Sequence, residues 1–371
     1  MLLGDHGADV IKVERPDGGD DARSMPPFIG DESAPFLIWN RNKRSVALDL
    51  KSEDGKAALL SLIDSADILI ENFRPGTLER LGFSWDALSA RNPRLIYAAI
   101  SGFGQTGPYR ERGGFDLITQ GMSGLMSACG PAEGPPHRMP IAISDIAAGM
   151  HLTVGILAAL EERHRTGRGQ FVETSLLESA LSFGVYEAAH VAATGERPPR
   201  LGQAHRGSSP YQLFETQDGS ITIGASQPNF WMRLCDILEL PELMRDPRFT
   251  TNKDRMEHYE AMRPPIDAAF RTKTSAEWIA ILNEAGVANG EVRNIGQMLT
   301  DPQLEAREMI QTLMHPTVGA TRVIGAPIKF SENAASVRTP PPVLGQHTDA
   351  VLTEIGYSAA AVAELRAKKA V

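Results

Sequence analysis

Over the first two-thirds of the chain, short apolar runs alternate with stretches whose apolar residues recur at helical spacing, and this alternation restricts the fold more than any other feature. ADVIKVE (residues 8–14) reads as a strand, and SVALDL (45–50) as another, followed by the helical stretch SEDGKAALLSLIDSA. DILIENF is again strand-like, TLERLG is a short helix stopped by Gly82, and LIYAAISGFG is a strand running into a glycine-rich loop. The rhythm predicts an α/β fold, a mainly parallel sheet covered by helices.

SDIAAGMHLTVGILAAL (144–160) opens a helix at Asp145 that runs through AALEERHR to a turn at Gly167 and Gly169. FVETSL is a further strand and ESALSFGVYEAAHVAAT a single further helix. The pattern then changes. GERPPRLGQAHRGSSP (195–210) has no periodicity and reads as a linker or long functional loop. YQLFETQDGSITIGA is a hairpin turning at Asp218-Gly219, and helices follow up to Thr300. The expected organisation is a large domain beginning with residues 1–194, a linker at 195–208, a small α+β domain at 209–300, and a returning segment at 301–371. That last segment has no core of its own and is expected to pack back on the first domain.

Hydrophobic residues make up 42% and charged residues 22% of the 371 positions, the composition of a soluble globular protein. A net charge of -9 disfavours nucleic acid as a partner. No apolar run reaches the roughly 18 to 20 residues of a membrane span, and the first residues lack a signal-peptide pattern. A cytoplasmic protein with no membrane partner is expected. The two cysteines, Cys129 and Cys235, are far apart, and the nine histidines form no HxxxH or HxH pair, so no metal is expected.

Four features carry candidate chemistry. The acid closing the first strand, Glu14, follows glycines as in part of a dinucleotide-binding unit, yet the GxGxxG fingerprint is absent and a plain strand followed by a surface turn is the favoured reading. Basic residues gather near strand ends, at Arg15, at Arg41, Lys43, Arg44 and Lys51, and at Arg74 and Arg80. Open α/β sheets bind ligands there, so these residues either meet an anion or are simply solvated. ISGFGQTGPY (100–109) and GGFD (113–116) either offer backbone N–H groups to a ligand or make tight turns. Asp145 suits a helix N-cap, a role that stabilises by about 1 kcal/mol. The same position favours an ionised carboxylate through the helix dipole, and such a carboxylate can attack an acyl carbon.

Taken together, GADVIKVERPDGGDDAR, NRNKRSVALDLKSEDG, ADILIENFRPGTLERLGF, NPRLIYAAISGFGQTGPY, SDIAAGMHLTVGILAAL, RTGRGQFVETSLLESAL and LGQHTDAVLTEIGY resemble the class III coenzyme A transferases. This family includes formyl-CoA:oxalate and crotonobetainyl-CoA:carnitine CoA-transferases. The resemblance runs from the first residues to the last helix, in family order. It implies a Rossmann-like large domain built from both chain ends, an inserted small domain, and a homodimer of interlocked rings. Coenzyme A is implied as a substrate moiety, with no tightly bound cofactor, and acyl-CoA and a small carboxylic acid as the molecules acted on.

By the same resemblance Asp145 is the nucleophile, passing through an aspartyl anhydride and an aspartyl-CoA thioester. Arg15, Lys51, Asn72, Phe73, Arg74 and Arg80 are implied to hold the adenosine and phosphate parts of coenzyme A, and Phe115 and Asp116 to border the thioester. Neighbouring α-methylacyl-CoA racemases carry GHD where this chain has GFD, and look acidic where it has Gln227. Phe115 cannot serve as a base, so transferase is preferred to an isomerase acting at the α-carbon. Family members usually begin with a further two to three dozen residues, so the chain reads as N-terminally shortened, and a CoA-binding homologue without turnover is the third reading.

Overall fold

The computed structural model describes residues 1–371. The fold is mixed α/β with parallel sheets. Strands β1 (Val10–Glu14) and β2 (Lys43–Ala47) pair in parallel, with Val10 opposite Lys43 and Glu14 opposite Ala47. Strands β3 (Ile68–Glu71), β4 (Ile96–Ser101) and β5 (Phe171–Ser175) form a second parallel ladder with β4 in the middle. The parallel strands therefore make a pair and a triple rather than one continuous ladder. In β4 all residues but Ile100 are buried, as expected of a strand covered on both faces.

The chain forms two compact units. The first comprises Met1–Asp116, Ser144–Ser179 and Leu299–Val371, and the second Leu117–Ile143 and Ala180–Met298. Residues 117–143 and 180–194, read from sequence with the first domain, thus group with the second unit. Hydrogen bonding accounts for this: the Arg200 guanidinium donates to the Pro131 and Gly134 carbonyls, and Arg206 pairs with Glu187 at 3.2 Å.

The first unit has a core around Val46, Leu48, Leu62, Ile63 and Tyr97, to which the helices Thr348–Glu354 and Ala359–Ala367 add Val351, Leu352 and Leu365. Asn42 ties the chain's two ends. Its amide donates to Asp5 Oδ1 at 2.9 Å and to the Ser336 carbonyl at 2.8 Å, while its Oδ1 accepts from the Arg338 and Thr339 N–H groups. A hairpin, Ile310–His315 with Gly319–Ile324, precedes this segment and has no counterpart in the sequence reading.

The second unit holds an antiparallel sheet in the order β8-β7-β6, with β6 at Tyr211–Glu215, β7 at Ser220–Gly224 and β8 at Ala288–Glu291. Phe214, Ile223, Trp231, Leu234, Phe270 and Trp278 fill its core. Trp278 meets the buried-polar requirement by donating its indole N–H to the Phe270 carbonyl at 2.7 Å.

Two local expectations change. ESALSFGVYEAAHVAAT is two helices, Leu176–Leu181 and Val185–Thr194, because the chain turns at Gly184, whose N–H bonds the Leu181 carbonyl. The helix Ile143–Thr166 spans 24 residues and contains an 18-residue window of mean hydropathy 1.6, so by length and composition it could cross a membrane. The sequence reading counted strictly apolar runs and passed over its glycine, threonine and histidine positions. Core helices of globular proteins meet the same criterion.

Candidate active site

Two glycine loops of the first unit set the geometry. Beyond β4, the chain at Gly102 crosses the chain at Gly114 so closely that a Cβ on Gly102 would lie 2.6 Å from the Gly114 Cα. Glycine is therefore required by a backbone crossing, a reason not weighed from sequence. The crossing leads directly into Phe115, which is 73% exposed, and into Asp116, the first residue of the helix Asp116–Met122. The Gly104 N–H donates to Ser101 Oγ at 2.9 Å, and Gly102 accepts from the Leu177 N–H, which fixes the first loop from both sides.

Asp145 is the third residue of the helix Ile143–Thr166, within its first turn and not at the cap. Asp116 is tied to the same turn, since its Oδ1 accepts the Ser144 N–H at 3.0 Å. Burial and then the Asp116 carboxylate raise the Asp145 carboxyl above its ordinary range. Both influences oppose the ionisation that the helix dipole favours. Much of Asp145 is exposed, so water screens part of the effect while its direction stands. A carboxylate made more basic, on an exposed residue, and backed by a second acid is a competent nucleophile toward an acyl carbon.

The basic residues divide into two groups. Arg41 is buried in a two-pronged pair with Asp5, at 3.0 and 2.7 Å, and Arg44 is held by Asp9 and Glu354. These arginines are structural. Lys43 hydrogen-bonds Asn40 Oδ1, and burial lowers its pKa to about 8. Glu14 is also structural: burial raises its pKa, but hydrogen bonds from Arg23 and Ser45 outweigh that and hold it low. No oxygen of so engaged a carboxylate is presented to a ribose, which disposes of the dinucleotide reading.

Arg15, Lys51, Asn72, Phe73 and Arg74, in contrast, are exposed in turns and loops that follow strands, and Arg80 is exposed at the end of the short helix Thr77–Arg80. Arg15 contacts Asp21 at 2.5 Å in a solvated pair. Asn72, Phe73 and Arg74 follow β3 in one loop, shaped by Glu71, whose Oε2 accepts the Phe73 N–H at 2.7 Å. Burial pushes the Glu71 carboxyl up to about 7. Sequence reasoning passed over Glu71, although an acid closing an apolar strand was the available signal. Glu71, Arg74, Thr77, Glu79, Trp85 and Tyr97 line a cavity of about 190 Å³. A larger cavity of about 530 Å³ lies in the second unit, against His205, Tyr211 and Gln212, and none of the predicted site residues lines it.

Comparison with known proteins gives this arrangement a class. The sequence profile of CoA-transferase family III matches residues 1–348. A succinyl-CoA:glutarate CoA-transferase from Mus musculus is 38% identical over 356 residues, covering 96% of this chain and 82% of that protein. An acetyl-CoA:oxalate CoA-transferase from Acetobacter aceti is 39% identical, covering 89% of this chain and 84% of that protein. Among solved structures, a CAIB/BAIF family protein from Brucella suis superimposes with a TM-score of 0.85 at 34% identity, covering 95% of this chain and 93% of that one. The chain belongs to CoA-transferase family III. It is an acyl-CoA:carboxylate CoA-transferase.

Proposed function

We propose that Asp145 carries the transfer as a covalent nucleophile and that short dicarboxylic acids are the acceptors. The observation that carries this reading is the Asp145 carboxylate itself: exposed in the first turn of a long helix, with its pKa raised by burial and by an Asp116 anchored to the neighbouring Ser144 N–H. The choice of acceptor is supported by relatives named for glutarate, oxalate and mesaconate.

The steps balance without external protons. The Asp145 carboxylate attacks the donor thioester carbonyl, forming a mixed anhydride and expelling coenzyme A thiolate. The thiolate attacks the aspartyl carbonyl, releasing the donor acid and leaving an aspartyl-CoA thioester. The acceptor carboxylate attacks that thioester, giving a second anhydride and free thiolate. The thiolate then attacks the acceptor acyl carbon, forming the product thioester and restoring Asp145. Each attack creates an oxyanion that backbone N–H groups of the glycine loops are suited to receive.

In this reading Arg15, Lys51, Asn72, Phe73, Arg74 and Arg80 hold the adenosine and phosphate parts of coenzyme A, and Phe115 and Asp116 border the thioester. The enzyme works in the cytoplasm as a homodimer of interlocked rings, each with a Rossmann-like large domain and an inserted small domain, and with no nucleic-acid or membrane partner. A stripe along the helix Ile143–Thr166 supports the dimer: Ile146, Met150, Val154 and Leu157 are all exposed. Exchange between succinyl-CoA and glutarate is the test. Asp145→Ala and Asp145→Asn lose activity on the order of a thousandfold or more. Full activity in Asp145→Ala overturns the proposal.

A further inference from the structure

We infer that Arg110 is a third guanidinium of a phosphate cradle, formed with Arg74 and Arg80 around the Gly76 turn, and that the cradle takes the 3′-phosphate of coenzyme A. The inference rests on the reading above that coenzyme A binds beside Asn72–Arg74, and adds a residue that neither the sequence motifs nor the family resemblance supplied.

The geometry is local to the first unit. Gly76 has φ +78, and the position of a Cβ there would be 3.2 Å from Arg80 Nη1 and 3.9 Å from Arg110 Nη2. The same construction at Gly113 meets Arg74 Nη2 at 3.2 Å. A glycine thus lies against the Arg80 and Arg110 guanidinium groups and another against that of Arg74. Arg80 gives one hydrogen bond, to Thr77 Oγ1 at 3.1 Å.

Arg110 is the least satisfied of the three. Its Nε is a buried donor without a partner, and its one ion pair is a 3.4 Å contact with the solvated Glu111. Arg112, two residues on, is by comparison committed to the rings of Tyr109 and Phe103, at 4.8 and 5.4 Å from their centroids. The carboxylates at the cradle are Glu111 and Glu79, the latter with Oε2 4.0 Å from the Gly76 Cβ position. Glu71 and Asp86 line the adjoining cavity with Glu79, and only Glu111 of these acids pairs with Arg110.

A phosphate monoester fits this arrangement better than a diphosphate bridge. It concentrates close to two negative charges on one group, which suits the Arg80 and Arg110 guanidinium groups meeting at the Gly76 turn, and guanidinium forks match its oxygens. The cavity that opens beside Arg74 and Gly76 is walled in part by Trp85 and Tyr97, the kind of lining a nucleoside next to such a phosphate requires.

The test is calorimetric titration of the full chain with coenzyme A and with 3′-dephospho-coenzyme A. Arg110→Ala is expected to weaken coenzyme A binding about tenfold or more, Arg110→Lys to recover part of the loss, and the dephospho compound to bind wild type and Arg110→Ala alike. Unchanged coenzyme A affinity in Arg110→Ala overturns the cradle, and so does an equal loss with both ligands, since the contact would then lie elsewhere on the nucleotide. Wild-type protein that binds neither compound overturns the coenzyme A reading along with the cradle.

Discussion

Gly102 and Gly114 touch backbone to backbone: a Cβ on Gly102 would lie 2.6 Å from the Gly114 Cα, and one on Gly114 would lie 2.5 Å from the Gly102 Cα. Through this crossing the end of a central parallel strand positions Phe115 and Asp116, and through the Ser144 N–H it reaches the turn that carries Asp145. Fold and chemistry meet at two residues without side chains.

Gly102→Ala and Gly114→Ala should therefore separate the loops. The expected cost is about 1–3 kcal/mol of stability from overpacking. Turnover should fall further, roughly a hundredfold, because Asp116 moves with its loop. Denaturant unfolding and steady-state kinetics on the same preparations check both effects.

Asp116→Asn should move the acid limb of the pH–rate profile to lower pH. Asp145 must be ionised to attack, so activity is lost as pH falls through its raised pKa. Burial and the negative charge of Asp116 both raise that pKa; the substitution removes the second cause and leaves the first. A pH profile of kcat/KM with saturating acceptor measures the shift. A limb displaced to higher pH would contradict this electrostatic account.

Arg41→Ala should destabilise the first unit by about 3–5 kcal/mol, since it strands the buried Asp5 carboxylate without its partner. Urea unfolding reads this directly. Arg44→Ala, at a more exposed pair, should cost about 1 kcal/mol or less.

Val154→Glu places a charge at a helix position that is 65% exposed within the apolar stripe. If a second copy covers that stripe, sedimentation velocity should show the wild type as a dimer and the variant shifted toward monomer. A variant that sediments as the wild type does would remove the stripe from the interface.

What the sequence revealed, and what it hid, follows from the range of the interactions. Strands such as ILIE and IYAAIS are legible because burial of successive residues leaves a continuous apolar run. Asp145 and the Asn72–Arg74 loop were found through family resemblance; the helix segment alone favours a cap over a nucleophile. The raised pKa of Asp145 was not legible, since its neighbour Asp116 opens a different helix far off in the sequence and burial depends on the packed turn. Arg41 and Arg74 look alike as loop arginines, and only the partner of Arg41, Asp5, separates a structural role from a free one. The hairpin at Ile310–His315 went unseen because its strands, IQTLMH and GATRVI, lack a strict polar–apolar alternation and flank a turn without an Asn-Gly or Asp-Gly signal.

Peptide mass spectrometry of enzyme quenched shortly after mixing with succinyl-CoA decides whether Asp145 is the nucleophile. The expected result is a coenzyme A thioester on the peptide containing Asp145, removed by hydroxylamine and missing from Asp145→Ala. An adduct on another residue, or undiminished turnover by Asp145→Ala with no adduct, would contradict it.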